Sequence, residues 1–185
     1  MIITITGDLG SGKSTVGKML AKELELERYY IGQIRRDAAK KMGMTLEEYN
    51  KYGETHPETD IDVDNYQKKL GQEKDNFLIE GRTSWFLIPH SIKLYFEVDP
   101  REGAKRVFKE LQGENVRNEV ASVSSVEELM KIHKKRNDSD NYRYKKYYGK
   151  DCYDKKNFDF IIDTTNLTPQ EALEKTLEYI KTKQS

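Results

Sequence analysis

Eight consecutive residues near the N-terminus have the types and the spacing needed to hold a chain of phosphates. They match the pattern G-x-x-x-x-G-K-[ST] and read Gly7, Asp8, Leu9, Gly10, Ser11, Gly12, Lys13 and Ser14. Glycines let the backbone turn tightly, so that its N–H groups can point at phosphate oxygens. The lysine can reach the β- and γ-phosphates, and the serine hydroxyl can ligate Mg²⁺. The motif therefore predicts that residues 7–14, together with Thr15, bind the phosphates of a nucleoside triphosphate.

A strand and a helix must position this loop, and the flanking sequence predicts both. Residues 2–6 are an apolar run typical of a buried strand, and residues 13–25 carry apolar side chains at helical spacing. Strands that alternate with helices favour an α/β fold, here a P-loop NTPase with a parallel five-stranded sheet flanked by helices. Ligands of such sheets bind at the carboxyl ends of the strands. The four further strands are predicted at 27–31, 77–79, 92–98 and 159–163.

Two long helical segments are inserted between the strands of this core. We therefore predict a single domain, 1–185, that consists of the core and these two inserted parts. Residues 32–75 are longer than a simple crossover requires, and we predict a helical arm that binds a nucleoside monophosphate. Residues 112–150 are predicted to form a lid, with a mobile loop at 112–125 followed by a basic helix. The core then comprises residues 1–31, 76–111 and 151–185.

Arginines are the second group of candidate residues, because phosphoryl transfer depends mainly on positioning and charge neutralisation. Arg82 follows a predicted strand and can donate two hydrogen bonds to an acceptor phosphate. Arg36 lies early in the arm. A closing lid would carry Arg106, Arg136 and Arg143. A solvated surface position, or an ion pair with a neighbouring carboxylate, is the alternative for each arginine. We predict that the catalytic residues are Lys13, Arg82, Arg136 and Arg143.

Carboxylates near the predicted phosphate site suggest how a metal and an acceptor would be bound. Glu80 ends a predicted strand and is expected to orient Mg²⁺ through water, although capping the strand end or pairing with a lysine is an alternative. The oxygen of an acceptor phosphate is already anionic, whereas a hydroxyl acceptor usually needs a general base. Because no unambiguous base is visible, the pattern favours a nucleoside monophosphate over a nucleoside or a sugar.

Composition excludes several other classes of protein. The 32 basic and 32 acidic residues balance, so no global field favours nucleic acid or an anionic membrane. We expect neither partner, and no apolar run is long enough to span a bilayer. A single cysteine, Cys152, and the lack of a visible secretory signal suggest a reducing cytoplasm. Three histidines far apart show no metal-ligand spacing, so no structural zinc is expected.

Beyond the first loop, several segments resemble the archaeal-type cytidylate kinases of the adenylate-kinase-like nucleoside monophosphate kinase family. The resemblance runs almost the whole chain and is most specific between residues 43 and 82. It is carried by residues 32–36 and 43–49, His56-Pro57-Glu58, Asp60, Asp64, Gln67, residues 78–82, Arg136, Ser139, Arg143-Tyr144 and residues 158–164.

This resemblance implies that ATP and CMP or dCMP react, with Mg²⁺, to give ADP and CDP or dCDP, and that the protein is a monomer. It implies that Arg36 and Arg82 bind the acceptor phosphate, and that Arg136 and Arg143 bind the transferring phosphoryl group. From their place in the arm, we predict Asp60 and Asp64 near the acceptor base, although carboxylates on a helix surface are an equally good interpretation.

Some residues depart from the family pattern, and these departures bear on which acceptor base is recognised. Gln33 stands where an acidic residue is usual, and Arg35 stands where an apolar one is usual. Thr83 stands where longer bacterial relatives carry an aspartate that helps to read cytosine. Two alternatives therefore stay open beside a CMP kinase. One is a kinase of the same fold with another small acceptor, and the other is a nucleotide-binding regulatory or RNA-associated ATPase.

Overall fold

The central sheet holds the strands whose carboxyl ends were predicted to carry the site. The computed structural model describes residues 1–112 and 123–184, and within them five strands pair in parallel. The strands are β1 (Ile2–Gly7), β2 (Glu27–Tyr30), β3 (Phe77–Glu80), β4 (Ile92–Glu97) and β5 (Phe160–Asp163). Their order is β2-β3-β1-β4-β5, which places the strand before the glycine loop at the centre. The predicted α/β fold class is confirmed.

Helices cover the sheet and build the arm. The helices that belong to the core are α1 (Lys13–Glu23), α5 (Ser84–Leu87), α6 (Pro100–Leu111) and α8 (Pro169–Gln184). The arm consists of α2 (Ile31–Lys41), α3 (Leu46–Gly53) and α4 (Glu58–Glu73). The long helix α7 (Val126–Tyr148) contacts both α6 of the core and α3 of the arm. No described helix combines the length and the apolar character that crossing a membrane requires.

The core lies on both faces of the sheet, as is usual when strands are parallel and covered by helices. On one face, Ile3 and Ile5 of β1 pack with Leu20 of α1 and Ile180 of α8. On the other face, Ile2 packs in a second cluster of side chains, Phe77, Ile79, Leu70 and Ile88. Burial of each such side chain contributes about 1.5–3 kcal/mol, so β1 and β3 are firmly held beneath the loops that follow them.

Short local signals set the helix ends. Thr45 and Glu48 form a capping box at the start of α3. Asp99 caps α6 with its side chain accepting from two backbone N–H groups, and Pro100 occupies the first turn. The helices of the arm are separated near Gly43 and between Gly53 and Pro57.

Some boundaries and elements differ from the prediction. β2 stops at Tyr30 because Ile31 already begins α2, so the arm starts directly from the strand. The short helix α5 was not predicted; its side chains, which include Ser84 and Trp85, are mostly apolar and lack a helical repeat of useful length. The mobile loop predicted at 112–125 falls largely on residues 113–122, which lie outside the described residues.

Candidate active site

The glycine loop connects β1 to α1 in the strand–loop–helix setting that its motif requires. The carbonyl oxygen of Asp8 accepts hydrogen bonds from Lys13 Nζ at 2.9 Å and from Ser11 Oγ at 2.8 Å. Gly10 has a positive φ of 81°, and a Cβ there would lie 2.1 Å from the Gly103 carbonyl oxygen. Only glycine therefore allows the loop to pass this close to α6.

The side chain of Asp8 anchors the loop to the neighbouring strand. Its Oδ1 accepts a hydrogen bond from the Tyr95 hydroxyl at 2.7 Å, and its Oδ2 accepts one from the Val98 N–H at 3.2 Å. Burial, followed by the charge of Asp8, raises the pKa of Tyr95, so this hydroxyl remains a donor at neutral pH. Asp8 thus fixes the loop against β4, while the neighbouring backbone is left to meet phosphates.

A cleft of about 320 Å³ lies beside the loop, between α6 and the segment before α8. Thr164 Oγ1 donates to the Ser11 carbonyl at 3.0 Å and so ties that segment to the loop. Arg106 was predicted on a closing lid, but it lies in α6 of the core and donates to the Thr164 and Thr165 carbonyls. The prediction for Arg106 was wrong because α6 continues the core to Leu111.

Glu80 lies at the end of β3, next to α1. Its carboxyl is buried, and Oε1 accepts a hydrogen bond from Arg28 Nε at 2.6 Å, while Oε2 has no hydrogen-bond partner in the described chain. Burial raises the pKa of Glu80, and the charge of Arg28 and a hydrogen bond from Ser14 act against this rise. Arg28 also donates to the Ser14 carbonyl at 3.3 Å, so it joins the strand end to the loop helix.

A chain of alternating charges runs from the core into the arm. Arg82 pairs with Asp140, Asp140 pairs with Arg143, and Arg143 pairs with Asp60. Arg35, which lies on α2, completes the chain by pairing with Asp60. Burial alone would raise the pKa of Asp140, but the charges of the surrounding arginines, Arg82 first, outweigh it and hold that pKa below its ordinary value.

Within this chain, Asp60 is fully engaged by arginines. Its side chain is 1% exposed, and Arg143, which is 0% exposed, donates to both of its oxygens. Arg35 and the Tyr144 hydroxyl bind Oδ1 as well. The alternative that Asp60 is a helix-surface carboxylate is excluded by this burial. Its predicted contact with the acceptor base stays a prediction, and the ion pairs leave little of the carboxylate for it.

Asp64, one turn further along α4, has different surroundings. Its Oδ1 accepts hydrogen bonds from Thr83 Oγ1 at 2.7 Å and from Gln67 Nε2 at 2.9 Å. Its Oδ2 is buried and makes no hydrogen bond in the described chain. Burial raises the pKa of Asp64, whereas the neighbouring hydroxyls of Thr83 and Tyr148 lower it. The surface alternative is excluded for this residue too.

Arg36, Arg136 and Arg143, the other predicted arginines, have different surroundings. Arg36 is buried in α2, where it donates to the Tyr30 hydroxyl at 3.1 Å and lies over the Tyr30 ring. Arg136 lies on α7 and lines two cavities, which are described next. Arg143 is held inside ion pairs, so contact with a transferring phosphoryl group would require those pairs to rearrange.

Two cavities meet where the arm faces α7. The inner one, about 30 Å³ in volume, is lined by Gly32, Asp64, Arg82 and Arg136 among others. This volume is close to that of one water molecule. The outer cleft, about 520 Å³, lies between α3 and α7 and shares Asn50 and Arg136 with the inner cavity. The two cavities are therefore neighbours, and Arg82 lines the inner one.

Several residues of this site were missed by sequence reasoning. Arg28 binds Glu80, Tyr30 binds Arg36, and Asp140 and Tyr153 bind Arg82. The spacing of Arg136, Asp140 and Arg143, which puts the three side chains on one side of a helix, is a signal that could have revealed Asp140. Arg28 and Tyr30 carried no such signal, because their partners come from other elements.

A loop of the G-x-x-x-x-G-K-[ST] type between β1 and α1 of a parallel sheet, with an arginine directly after the neighbouring strand β3, is typical of the P-loop kinases. Residues 2–166 match the model of the cytidylate kinase-like family. The chain is 34% identical to a cytidylate kinase of Thermoplasma volcanium over 173 residues, which cover 93% of this chain and 87% of that protein. It is 37% identical to a cytidylate kinase of Thermococcus kodakarensis over 170 residues, which cover 91% of this chain and 82% of that protein. The chain belongs to the cytidylate kinase-like family.

Solved structures agree with the fold. A shikimate kinase of Bacteroides thetaiotaomicron superposes with a TM-score of 0.66 at 14% identity and covers 98% of both chains. The deoxyadenosine kinase of M. mycoides has a TM-score of 0.53 at 17% identity and covers 98% of this chain and 100% of its own. At such low identity, these structures support the P-loop kinase fold and do not identify the acceptor.

Proposed function

We propose that this protein transfers the γ-phosphoryl group of ATP to the phosphate of CMP or dCMP. An oxygen of the acceptor phosphate attacks the γ-phosphorus as the bond from that phosphorus to the β,γ-bridging oxygen breaks, giving ADP and CDP or dCDP. The attacking oxygen is already anionic, so the reaction requires no general base. The relatives named above, which are cytidylate kinases, support this choice of acceptor.

The observation that carries the proposal is the position of Arg82. It follows β3, the strand that pairs with β1, so Arg82 and the glycine loop both follow neighbouring strands at their carboxyl ends. Asp140 and the Tyr153 hydroxyl hold its Nε, whereas Nη2 is buried and has no hydrogen-bond partner in the described chain. A guanidinium held on one edge and available on the other is suited to binding an acceptor phosphate.

The other predicted residues take roles around this centre. Residues 7–15 would bind the phosphates of ATP, with Lys13 near the β- and γ-phosphates. Arg36 would share the acceptor phosphate with Arg82. Arg136 is better placed than Arg143 to neutralise charge on the transferring group, since it lines the cavity beside Arg82. Closing the arm over the nucleotides would exclude water as a competing acceptor.

Mg²⁺ is proposed to accompany ATP, and the residues at the loop fit it. Ser14 lies in the first turn of α1, and Glu80 Oε2 is a buried carboxylate oxygen without a hydrogen-bond partner in the described chain. Ser14 would ligate the ion directly and Glu80 through water, while the phosphates supply further oxygens. The ion would neutralise charge that develops on the phosphates. In residues 1–112 and 123–184, no group of three or more His, Cys, Asp or Glu side chains could hold a metal.

We further propose that the enzyme is a cytoplasmic monomer that binds neither nucleic acid nor membranes. The buried thiol of Cys152 is consistent with a reducing compartment. In the tyrosine- and lysine-rich part of α7, Tyr144 is buried and the Tyr147 hydroxyl donates to the Gly53 carbonyl at 2.9 Å, whereas Tyr142 is exposed. This packing supports a structural role for Tyr144 and Tyr147 over a nucleic-acid surface.

An acceptor panel tests the proposed function. ADP release from ATP and Mg²⁺ is measured by a coupled assay with CMP, dCMP, UMP, AMP, GMP or cytidine as the added acceptor. We expect CMP or dCMP to accelerate ADP release by at least about a thousandfold over the acceptor-free rate, in line with positioned phosphoryl transfer. No acceleration by either cytidine nucleotide would contradict the proposal, and acceleration by cytidine alone would indicate a hydroxyl acceptor.

A further inference from the structure

Two buried polar atoms of opposite character belong to residues that line the inner cavity. Arg82 Nη2 is a donor and Asp64 Oδ2 is an acceptor, and neither has a hydrogen-bond partner in the described chain. Buried polar groups normally have such partners, so each unpartnered atom calls for an explanation. A ligand with an anionic group at one end and a hydrogen-bond donor at the other would satisfy both atoms.

The orientation of the Asp64 carboxylate is fixed by Gln67 of the same helix and by Thr83 and Ser84, which follow β3. Thr83 and Gln67 both donate to Oδ1, and Gln67 also donates to the Thr83 hydroxyl at 3.0 Å. Ser84 Oγ donates to Gln67 Oε1 at 2.6 Å, which sets the amide so that its NH₂ group faces the carboxylate. All hydrogen bonds of normal geometry thus fall on Oδ1, and Oδ2 remains for a ligand.

Building on the proposed function, we infer that Asp64 selects the acceptor base by accepting a hydrogen bond from its exocyclic amino group. Cytosine carries an amino group at C4, which donates. Uracil carries a carbonyl oxygen at the same position, which a carboxylate oxygen repels. Thr83 and Gln67 act as positioning residues that present Oδ2. A buried group that requires a substrate N–H rejects an analogue that lacks it much more strongly than an apolar pocket would.

The neighbouring carboxylate cannot take this role in the observed arrangement. Asp60 also lies on α4 and is equally buried, but Arg143 and Arg35 engage its oxygens. Tyr148 from α7 and Arg35 from α2 both face Asp64 and lower its pKa, while Asp60 raises it. Asp64 is therefore the carboxylate on this face of the arm that retains an oxygen for the base.

The substitution Asp64→Asn tests the inference, because an amide at this position can donate to the uracil carbonyl. The values of kcat/KM for CMP and for UMP are measured for the wild type and the variant. We expect the wild type to prefer CMP, and the CMP-to-UMP ratio to fall by about ten- to a hundredfold in the variant, as suits a hydrogen bond to a charged group. Asp62→Asn is the matched control, since it removes the same charge from an exposed position of α4.

Thr83→Val provides a second, milder variant that keeps the side-chain volume and removes the hydroxyl that holds Oδ1. We expect the ratio to fall by about two- to tenfold. If Asp64→Asn does not fold, as judged by its melting curve, Thr83→Val decides the question. A wild type that uses UMP as efficiently as CMP, or a ratio unchanged in the folded variants, overturns the inference. A wild type that phosphorylates neither nucleotide overturns the proposed function instead.

Discussion

Arg82 shows how one residue can combine a structural contact with a free binding edge. Its Nε donates to the Tyr153 hydroxyl at 2.8 Å and pairs with Asp140, so the side chain is already fixed before any ligand binds. A guanidinium held in this way loses little freedom when it binds a phosphate. Its buried Nη2 without a hydrogen-bond partner in the described chain is the group that would make the contact.

Replacing Arg82 with alanine should affect the acceptor half of the reaction selectively. We expect kcat/KM for CMP to fall by at least about a hundredfold, because the charge that neutralises the acceptor phosphate is lost. Acceptor-independent hydrolysis of ATP should change by less than about threefold. Parallel assays of ADP release with and without CMP measure both.

Two further variants make this prediction decisive. Arg82→Lys keeps the positive charge but cannot donate two parallel hydrogen bonds to one phosphate. Its loss of kcat/KM for CMP should therefore be intermediate. Arg101→Ala is the control, because Arg101 is an exposed arginine whose pair with Glu127 lies at the surface. Equal losses in the two activities of Arg82→Ala would contradict the assigned role, and melting curves identify any variant that is simply unfolded.

For the two aspartates of α4, the sequence predicts a shared helix face but not the partners of each carboxylate. Their spacing of four residues predicts that Asp60 and Asp64 share a helix face, and both are indeed buried. Their roles differ because of partners that are distant in the chain. Arg143, 83 residues away, engages Asp60, and Thr83, 19 residues away, holds Asp64. Local patterning contains no information about those partners.

At the scale of elements, α7 holds the core and the arm together. Asp140 on α7 reaches Arg82 of the core, and Arg143 on the same helix reaches Asp60 of the arm. Ser139 and Tyr147 add hydrogen bonds to Glu54 and Gly53 at the end of α3. The arm and Arg82 are therefore coupled through one helix, and motion of the arm must disturb these ion pairs.

Asp140→Asn should destabilise the protein, because it leaves Arg82 and Arg143 buried with only part of their charge compensated. Breaking a buried ion pair in this way costs about 3–5 kcal/mol of unfolding free energy. Asp138→Asn is the matched control: Asp138 lies on the same helix, but its pair with Lys134 is exposed, so its loss should cost less than about 1 kcal/mol. Urea unfolding at neutral pH measures both.

The pH dependence of this loss follows from the lowered pKa of Asp140. A carboxyl whose pKa is lower in the folded state stabilises the fold above its unfolded pKa. This contribution disappears as the pH falls through the lowered folded pKa. The difference between wild type and Asp140→Asn should therefore be full at neutral pH and shrink in acid. A difference that is constant from neutral pH to pH values well below the ordinary carboxyl pKa would contradict the ion-pair account.

Elements were more predictable than the contacts between them. The apolar strand runs, the capping residues Thr45 and Asp99, and the breaks in the arm are local signals, and the structure follows them closely. The placement of Arg106 on the lid was wrong, because residue 106 falls within the predicted core segment 76–111 and lies in α6 of that core. The helix α7 was predicted, but its docking against α3 depends on tertiary contacts such as that between Tyr147 and Gly53.

At the scale of the whole molecule, we propose that two halves of one site lie at the carboxyl ends of the strands. The loop of residues 7–15 and the cleft of about 320 Å³ beside it would form the donor half. The acceptor half would comprise Arg82, Arg36 and the two cavities that face α7. The inner cavity, about 30 Å³, is far smaller than the roughly 300–1,000 Å³ of ordinary ligand pockets, so we expect the arm to move when the acceptor binds.

Transfer of the γ-phosphoryl group tests this two-nucleotide account most directly. The protein is incubated with γ-labelled ATP, Mg²⁺ and CMP, and the labelled products are separated by chromatography. We predict that the label appears in CDP, with one ADP formed for each CDP. Label that appears only in inorganic phosphate, at a rate that CMP does not change, would contradict the account.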